Sequence, residues 1–508
     1  MSLRPPRFQK ETVMRPLETT LLIWNVAQLA LLVMPMPSWI SWIRHSAAVG
    51  LVIVAAHVLA EGTRWQMLPA YGVSLLFGLL WLAQLIGRSS TLPISCSGAI
   101  RILTALLGVS ITVLSVALPL AFPVFHIPSP TGPYAIGTLT YHWTDASRAE
   151  VFSADPGDAR SLMAQVWYPA TSAAASPKAP YIADARAFSQ AQAALHSLPD
   201  FIFAHLEYAA GNAVSAAALS ESQPKYPILI FLEGLTGYRQ MNTFQVEELV
   251  SHGYIVVALD QPYVAASVVF PDRQIVFGLS KDQIDPLIQQ SILPIEQTPR
   301  LHGVPFEEGI IPYLSSDVLF ALDQLEIMNR ADPMGILTGA LDLSRVGVFG
   351  ISIGGIVASE ACRSDARLIA CLVMDAPMPA IVEQDGLTQP ALWITRDAAT
   401  MQAEGWTQPD IDQHQSTMRG AFNTSHGDRY FLRVPGMFHA NLMDAPFFSP
   451  FVDDLGITGP INPQRAHQII NAYSLAFFNR HVKGQHMNMP DELRLAFPEV
   501  ILEQHPGN

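Results

Sequence analysis

The stretch that decides the fold is VGVFGISIGGIVASEA, residues 346–361. It reads as an apolar strand that ends at Phe349, a turn, and a helix of small apolar residues that begins at Ile353. The turn carries the pattern G-x-S-x-G, whose glycines permit a tight, strained bend that projects the serine hydroxyl from the end of the strand. Ser352 is therefore the predicted nucleophile. The alternative is an ordinary glycine-rich turn between a strand and a helix.

Short apolar runs alternate with helix-like segments on both sides of this turn. Between the runs lie FQVEELVSHG, SSDVLFALDQLEIMN and the helix that begins at Ile353. This alternation predicts a mostly parallel sheet with helices on both faces and a site at the carboxyl ends of the strands. Together with the G-x-S-x-G turn, it predicts an α/β-hydrolase fold for residues 125–508. The predicted strands are Tyr226 to Leu232, Ile255 to Leu259, Val346 to Phe349, Leu368 to Met374, Ala391 to Thr395 and Tyr430 to Val434.

A serine hydroxyl needs a histidine to take its proton and a carboxylate to orient that histidine. In an α/β-hydrolase both residues follow the serine along the chain. His439 comes just after the last predicted strand and is preferred as the base over His414 and His426, which are predicted to be surface residues. Asp375 and Asp397 each end a predicted strand, so both are candidates for the acid. Spacing alone leaves that choice open.

Two backbone N–H groups should stabilise the oxyanion that forms when a serine attacks an ester. One belongs to Ile353, which directly follows the predicted nucleophile. The loop from Gly234 to Gly237 directly follows an apolar strand, and the Leu235 amide in this loop is the predicted second donor. The alternative for this loop is a plain turn.

The first 124 residues are predicted to be a membrane region with three to four transmembrane helices. Long uncharged stretches can each supply the roughly 20 apolar residues that a spanning helix needs, and the shorter stretch from Ala47 to Ala60 gives the fourth candidate. Only His57 and Glu61 are ionisable groups near these spans, and His57 is predicted to be interfacial, so anchoring is favoured over transport. The long stretches lie between Glu18 and Arg44, between Arg64 and Arg88, and beyond Arg101.

The distribution of charged residues also separates the predicted membrane region from the rest of the chain. The residues up to Phe122 carry a formal charge of +5 and the remainder carries −19. The total of −14 argues against a nucleic-acid partner. Basic residues near the N-terminus and in the loop before the last apolar stretch favour three spans, which would place the second domain outside the cytoplasm. Metal and cofactor motifs are absent from the sequence, so neither a metal nor a cofactor is predicted.

The region from about Phe125 to His481 resembles the plasma-type platelet-activating factor acetylhydrolase family. The matching pieces are IPSPTGPYAIG, ILIFLEGLTG followed by LVSHGYIVVALD, VGVFGISIGG, CLVMDAPMP, the loop around His439, and SLAFFNRHVKG. This family consists of calcium-independent serine esterases that release short or oxidised acyl chains from phospholipids. The resemblance implies that Asp375 is the acid, with Asp397 as the runner-up.

Two residues depart from the pattern of that family. Glu233 stands where the family typically has a histidine before the oxyanion-loop glycine, and it could disfavour a developing negative charge if it points inward. Ile351 stands where the family usually has a histidine before the serine. Both departures bear on which substrate is used.

The sequence therefore predicts a membrane-anchored serine hydrolase whose substrate is a lipid or a small ester. One alternative is a generalist carboxylesterase or a hydrolase of other lipophilic esters. Another is an inactive, membrane-tethered binding protein. The apolar side chains that flank His439 are predicted to line an acyl pocket or to form core, and the oligomeric state stays open. Those side chains are Met437, Phe438, Phe447 and Phe448.

Overall fold

The computed structural model describes residues 14–33, 46–85, 98–171, 176–485 and 489–507. These residues form two compact units. The first unit contains the chain up to Phe125 together with the short segments Ala204–Tyr208 and Phe448–Phe451. The second unit contains the rest of the chain.

The first unit is helical and exposes large apolar side chains. Examples are Ile23, Leu59 and Leu75, whose exposed fractions are 66%, 87% and 53%. Within the described residues, one helical stretch, Trp65–Leu82, is long and apolar enough to cross a membrane by length and composition. The three to four predicted spans therefore stay a prediction. The helices are α1 (Pro16–Val33), α2 (Ala47–Ala60), α3 (Leu68–Leu85) and α4 (Gly98–Ala121).

Charged side chains are buried inside this helical unit. Both carboxylate oxygens of Glu18 accept hydrogen bonds of 2.7 Å from the Arg64 guanidinium, and Arg15 donates a further bond of 2.7 Å to Glu18. His57 is fully buried, and its Nδ1 lies 2.9 Å from the Tyr71 hydroxyl. The fold thus supplies polar partners for the His57 ring inside the unit, and its predicted place at a membrane interface stays a prediction.

The second unit is built on an eleven-stranded sheet with the order β15-β14-β13-β12-β11-β5-β6-β2-β1-β4-β3. The six strands from β14 to β6 in this order run parallel, whereas β2 and β15 pair antiparallel to the two ends of that block. The strands of the sheet are β1 (Ala135–Ala149), β2 (Ala159–Ala170), β3 (Lys178–Pro180), β4 (Ala210–Ser215), β5 (Tyr226–Leu232), β6 (Ile255–Asp260), β11 (Leu341–Ile351), β12 (Leu368–Met374), β13 (Ala391–Thr395), β14 (Arg429–Arg433) and β15 (Ile501–His505). Two short hairpins lie outside it, β7 (Ser267–Val269) with β8 (Ile275–Phe277) and β9 (Arg300–Leu301) with β10 (Val304–Pro305).

Helices cover both faces of the parallel block. Strand β11 shows this because successive side chains point to opposite faces. Phe349 contacts the ring of Phe478 on one face, with 5.9 Å between ring centroids, and Val348 packs with Ile356 in the core on the other. The helices are α5 (Ala185–Leu195), α6 (Thr243–Ser251), α7 (Lys281–Ile292), α8 (Ile311–Arg330), α9 (Ile353–Ser364), α10 (Ala380–Asp385), α11 (Ala398–Ala403), α12 (Gln408–Thr424), α13 (Pro463–His481) and α14 (Met489–Ala496).

The mostly parallel sheet predicted from the sequence is confirmed. The six predicted strands are the six strands of the parallel block, although β11 begins five residues earlier than predicted. These strands read as continuous apolar runs because both of their faces are buried. Strand β1 was missed, since its buried and exposed positions alternate and exposed residues such as His142 and Thr144 interrupt the apolar pattern.

Candidate active site

Ser352 lies at a strained turn between β11 and α9. Its φ is 57° and its ψ is −130°, a conformation that costs a non-glycine residue about 1–3 kcal/mol. A Cβ atom at Gly354 would lie 2.2 Å from the carbonyl oxygen of Leu232, so this turn requires glycine there. The Ser352 amide donates a hydrogen bond of 2.9 Å to the carbonyl oxygen of Met374. The serine is thereby held beside the carboxyl end of β12.

Asp375 directly follows β12 and contacts His439. The Nδ1 atom of His439 lies 2.5 Å from Oδ2 of Asp375, although 64 positions separate the two residues in the chain. The Asp375 side chain is fully buried, whereas a quarter of the His439 side chain is exposed. A hydrogen bond at Nδ1 orients the ring and leaves Nε2 available for a proton from another group.

A buried positive charge lies against the same carboxylate. The Nε atom of Arg396 lies 2.8 Å from Oδ2 of Asp375, and the Thr395 hydroxyl donates a hydrogen bond of 3.3 Å to Oδ1. Burial by itself would raise the pKa of Asp375. The positive charge of Arg396 and the hydrogen bond from His439 outweigh burial and hold that pKa well below its ordinary value. Asp375 is therefore ionised at neutral pH.

The two other candidate histidines have different surroundings. His426 is exposed, as predicted. His414 was predicted to be a surface residue, and this was wrong. Helix α12 buries it to 2% exposure, with Nε2 lying 3.5 Å from Oδ1 of Asp375. Burial lowers the pKa of His414, although the charge of Asp375 acts in the opposite direction, so its ring is neutral.

Asp397, the alternative acid, caps helix α11. Its Oδ1 accepts a hydrogen bond of 2.8 Å from the Thr400 amide, and its Oδ2 accepts one of 2.9 Å from the Thr400 hydroxyl. An aspartate at this position satisfies an amide that has no partner inside the helix. The structure brings Asp375, and not Asp397, to His439.

The loop after β5 lies against the serine. A Cβ atom at Gly234 would lie 3.4 Å from Cβ of Ser352, and Thr236 has a φ of 55°. Within the described part of the chain, neither the Leu235 amide nor the Ile353 amide donates a hydrogen bond. Two free amides at the loop and at the start of α9 are what an oxyanion site requires.

The Glu233 carboxyl group contacts the backbone at the end of β6. It is fully buried, and its Oε1 accepts a hydrogen bond of 2.9 Å from the Gln261 amide at the end of β6. Burial, reinforced by the negative charge of Asp260, raises the pKa of Glu233 well above its ordinary value. Burial therefore disfavours the charged form of this carboxyl group.

Hydrogen bonds on several sides hold the loop that carries His439. Asp444 accepts bonds of 2.8 and 3.1 Å from the Thr243 and Phe244 amides at the start of α6. Burial raises the pKa of Asp444 to about 8. On the other side, the His439 amide donates a bond of 2.9 Å to Oε1 of Glu404.

The apolar residues that flank His439 divide into two pairs. Met437 and Phe438 are buried and belong to the core, whereas Phe447 and Phe448 are partly exposed. Sequence reasoning missed Arg396, Glu404 and Asp444. The one available signal was Arg396, a charged residue directly after the buried strand β13.

One expected contact is not formed. In the part of the chain that the structure describes, no hydrogen bond joins the Ser352 hydroxyl to His439. The serine–histidine step therefore stays a prediction. It is supported by the place of Ser352, whose amide bonds to the residue that directly precedes Asp375.

Comparison with known proteins shows to which class of protein this fold and site belong. A ferulic acid esterase from Streptomyces cinnamoneus superposes with a TM-score of 0.58 and 26% identity, covering 75% of this chain and 99% of that one. The chain has the α/β-hydrolase fold and is a carboxylic ester hydrolase. The model of the family "Platelet-activating factor acetylhydrolase, isoform II" matches residues 121–278 and 321–493. The chain belongs to this family, which confirms the resemblance seen in the sequence.

Two relatives carry the name platelet-activating factor acetylhydrolase. The Gallus gallus protein is 22% identical over 395 residues, which are 70% of this chain and 84% of that protein. The Cavia porcellus protein is 25% identical over 273 residues, which are 51% of this chain and 58% of that protein. Membership in a family of hydrolases argues against the alternative of an inactive binding protein.

Replacing Asp375 by Asn is expected to lower kcat for ester hydrolysis about 10³- to 10⁴-fold, because an amide cannot stabilise a protonated His439. Asp397→Asn is the matched control. Asparagine caps a helix as well as aspartate does, so kcat of this variant should stay within about threefold of wild type. Steady-state kinetics of the two purified variants measure the difference. A larger loss at Asp397 would make that residue the acid.

Proposed function

We propose that this protein is a membrane-anchored serine hydrolase that cleaves short or oxidised acyl chains from phospholipids through an acyl-serine intermediate. The observation that carries the proposal is the 2.5 Å contact between His439 and the buried Asp375, beside the strained turn that presents Ser352. The catalytic residues in this proposal are Ser352, His439 and Asp375.

The reaction runs in two halves. The Ser352 oxygen attacks the ester carbonyl while Nε2 of His439 takes the hydroxyl proton. The carbonyl oxygen becomes an oxyanion that accepts hydrogen bonds from the Leu235 and Ile353 amides. The bond to the alcohol then breaks, and the alcohol leaves with the proton from His439. In the second half water attacks the acyl-serine, His439 takes a proton from that water, and the acid is released as the Ser352 hydroxyl is restored.

Asp375 makes each proton transfer easier in two ways. It accepts a hydrogen bond from the Nδ1–H group of His439, so the proton stays on Nδ1 and Nε2 is the basic nitrogen. Its negative charge also stabilises the imidazolium that exists between the two transfers. Because Asp375 stays ionised over the physiological range, this charge is present throughout the reaction.

Family membership supports the choice of substrate. The relatives from Gallus gallus and Cavia porcellus are named acetylhydrolases of platelet-activating factor. A second candidate, a hydrolase of other lipophilic esters, is favoured by the likeness to the ferulic acid esterase. Both candidates use the same serine chemistry and differ in the ester that the enzyme binds.

The helical unit supports anchoring. Its helices expose large apolar side chains, which are costly in water and favourable in lipid. The charge pattern of the N-terminal region supports an extracytoplasmic location for the catalytic domain.

A fluorophosphonate probe is expected to label the wild-type protein, because it reacts with activated serines. Ser352→Ala should abolish labelling and lower ester hydrolysis by about 10⁴-fold or more. Gel fluorescence after incubation with the probe measures the first effect. Persistent labelling of Ser352→Ala would remove Ser352 as the nucleophile, and an unlabelled wild-type protein would count against the serine mechanism.

Phospholipids with a short or oxidised second acyl chain are expected to be hydrolysed at least about tenfold faster, by kcat/KM, than those with a long saturated chain, a discrimination of about 1.4 kcal/mol. Mass spectrometry of the released acids measures the preference, with Ser352→Ala as the blank. Rapid turnover of simple aryl esters with no hydrolysis of any phospholipid would favour the second candidate.

The full-length protein is expected to stay in the membrane pellet after washing with alkaline carbonate and to be released by detergent. Apolar helices that span lipid resist such washing, whereas peripheral contacts do not. Immunoblotting of pellet and supernatant measures the partition. Recovery of the protein in the carbonate supernatant would contradict anchoring.

A further inference from the structure

A buried ion pair lies behind the Asp375–His439 contact. The Arg396 side chain is fully buried and contacts two carboxylates, Asp375 through Nε and Glu404 through Nη1. The ring of Trp406 covers the guanidinium, with 4.8 Å between Cζ and the ring centroid. A buried, stacked guanidinium between two carboxylates is a fixed charge and not a mobile surface group.

Glu404 joins this pair to the backbone of the predicted base. One of its oxygens pairs with Arg396, and the other accepts a hydrogen bond of 2.9 Å from the His439 amide. Helix α11, which ends just before Glu404, makes a second connection. The Gly436 amide donates a bond of 3.1 Å to the Thr400 hydroxyl. The loop that carries His439 is therefore tied to α11 at two points.

Arg396 and Glu404 have opposite effects on the net charge that lies beside His439. Arg396 offsets the cost of burying Asp375, but by itself it would also cancel the negative charge that stabilises a protonated His439. Glu404 adds a second negative charge and leaves the set of Asp375, Arg396 and Glu404 at a net −1. Among the described residues, the further titratable group that faces Asp375 is His414, and its buried ring is neutral.

We propose that Arg396 and Glu404 are a positioning pair that holds His439 in contact with Asp375 and keeps the buried charge behind the imidazole at −1. The inference rests on the proposed function, because it concerns the proton transfers at His439. Neither residue touches the reacting atoms in this proposal.

Single charge removals should move the pH dependence of kcat/KM in opposite directions. Glu404→Gln keeps the size and one acceptor but removes a negative charge, so the imidazolium is less stable and the acid limb should move down by about half a pH unit or more. Arg396→Gln removes a positive charge, so the acid limb should move up by a similar amount. The double variant restores the net charge of the set, and its acid limb should return close to that of wild type.

Matched controls separate this effect from general surface charge. Asp412→Asn and Arg419→Gln remove one negative and one positive charge from α12, where Asp412 is exposed and Arg419 pairs with Glu503, and their profiles should match wild type. Arg396→Lys keeps the charge but loses the planar fork, so its acid limb should stay in place while kcat falls about tenfold. KM should change less than kcat in every variant of the pair.

The outcomes distinguish the inference from the proposed function. If wild type is neither labelled by fluorophosphonate nor active on esters, the proposed function fails. If wild type is active but Glu404→Gln and Arg396→Gln shift the acid limb in the same direction, or not at all, the positioning pair is wrong. If Arg396→Gln does not fold by circular dichroism, Glu404→Gln and Arg396→Lys decide, and an unchanged profile in Glu404→Gln overturns the inference.

Discussion

Asp375 is ionised although its side chain is fully buried, and the groups around it stabilise that negative charge. An isolated buried carboxylate costs several kcal/mol, so it persists only where other groups compensate for the lost water. Arg396, His439 and Thr395 do so here. Their arrangement depends on the register between β12 and β13, in which Met374 pairs with Ile394. A slip of one residue would turn Arg396 to the other face and leave the carboxylate without its counter-charge.

The backbone shows the same dependence on neighbouring strand ends. Ser352, Asp375 and Thr236 each have a positive φ, and each lies just beyond the end of a parallel strand. Such conformations are strained and persist because the surrounding structure holds them. The Ser352 amide bonds to Met374 and the Asp375 amide bonds to Ile394, so these two turns are each fastened to the next strand of the sheet, whereas the Thr236 amide bonds to Val264 in the loop after β6. The site therefore depends on the carboxyl ends of several neighbouring strands and not on one strand alone.

Sequence patterns predicted the parts of this site that depend on local structure. The strained turn at Ser352 follows from its glycines, and the parallel strands follow from their apolar runs. Spacing alone could not choose between Asp375 and Asp397, because both residues end a strand. The choice needs the three-dimensional contact with His439, which lies 64 positions beyond Asp375. The buried positions of Arg396 and His414 could not be predicted either, since a charged residue after a strand and a histidine in a polar helix are both typical of a surface.

Glu233 shows how one departure from the family pattern can coexist with the chemistry. A charged carboxylate behind the oxyanion loop would oppose the negative charge that develops on the substrate. Its burial beside Asp260 disfavours the charged form, and the Gln261 amide donates a hydrogen bond to one of its oxygens. Asp260 itself pairs with Arg239, so the negative charge in this region has its own partner. The pKa values of the two buried carboxyl groups, Glu233 and Asp375, are therefore shifted in opposite directions, because Arg396 supplies a counter-charge in direct contact with Asp375.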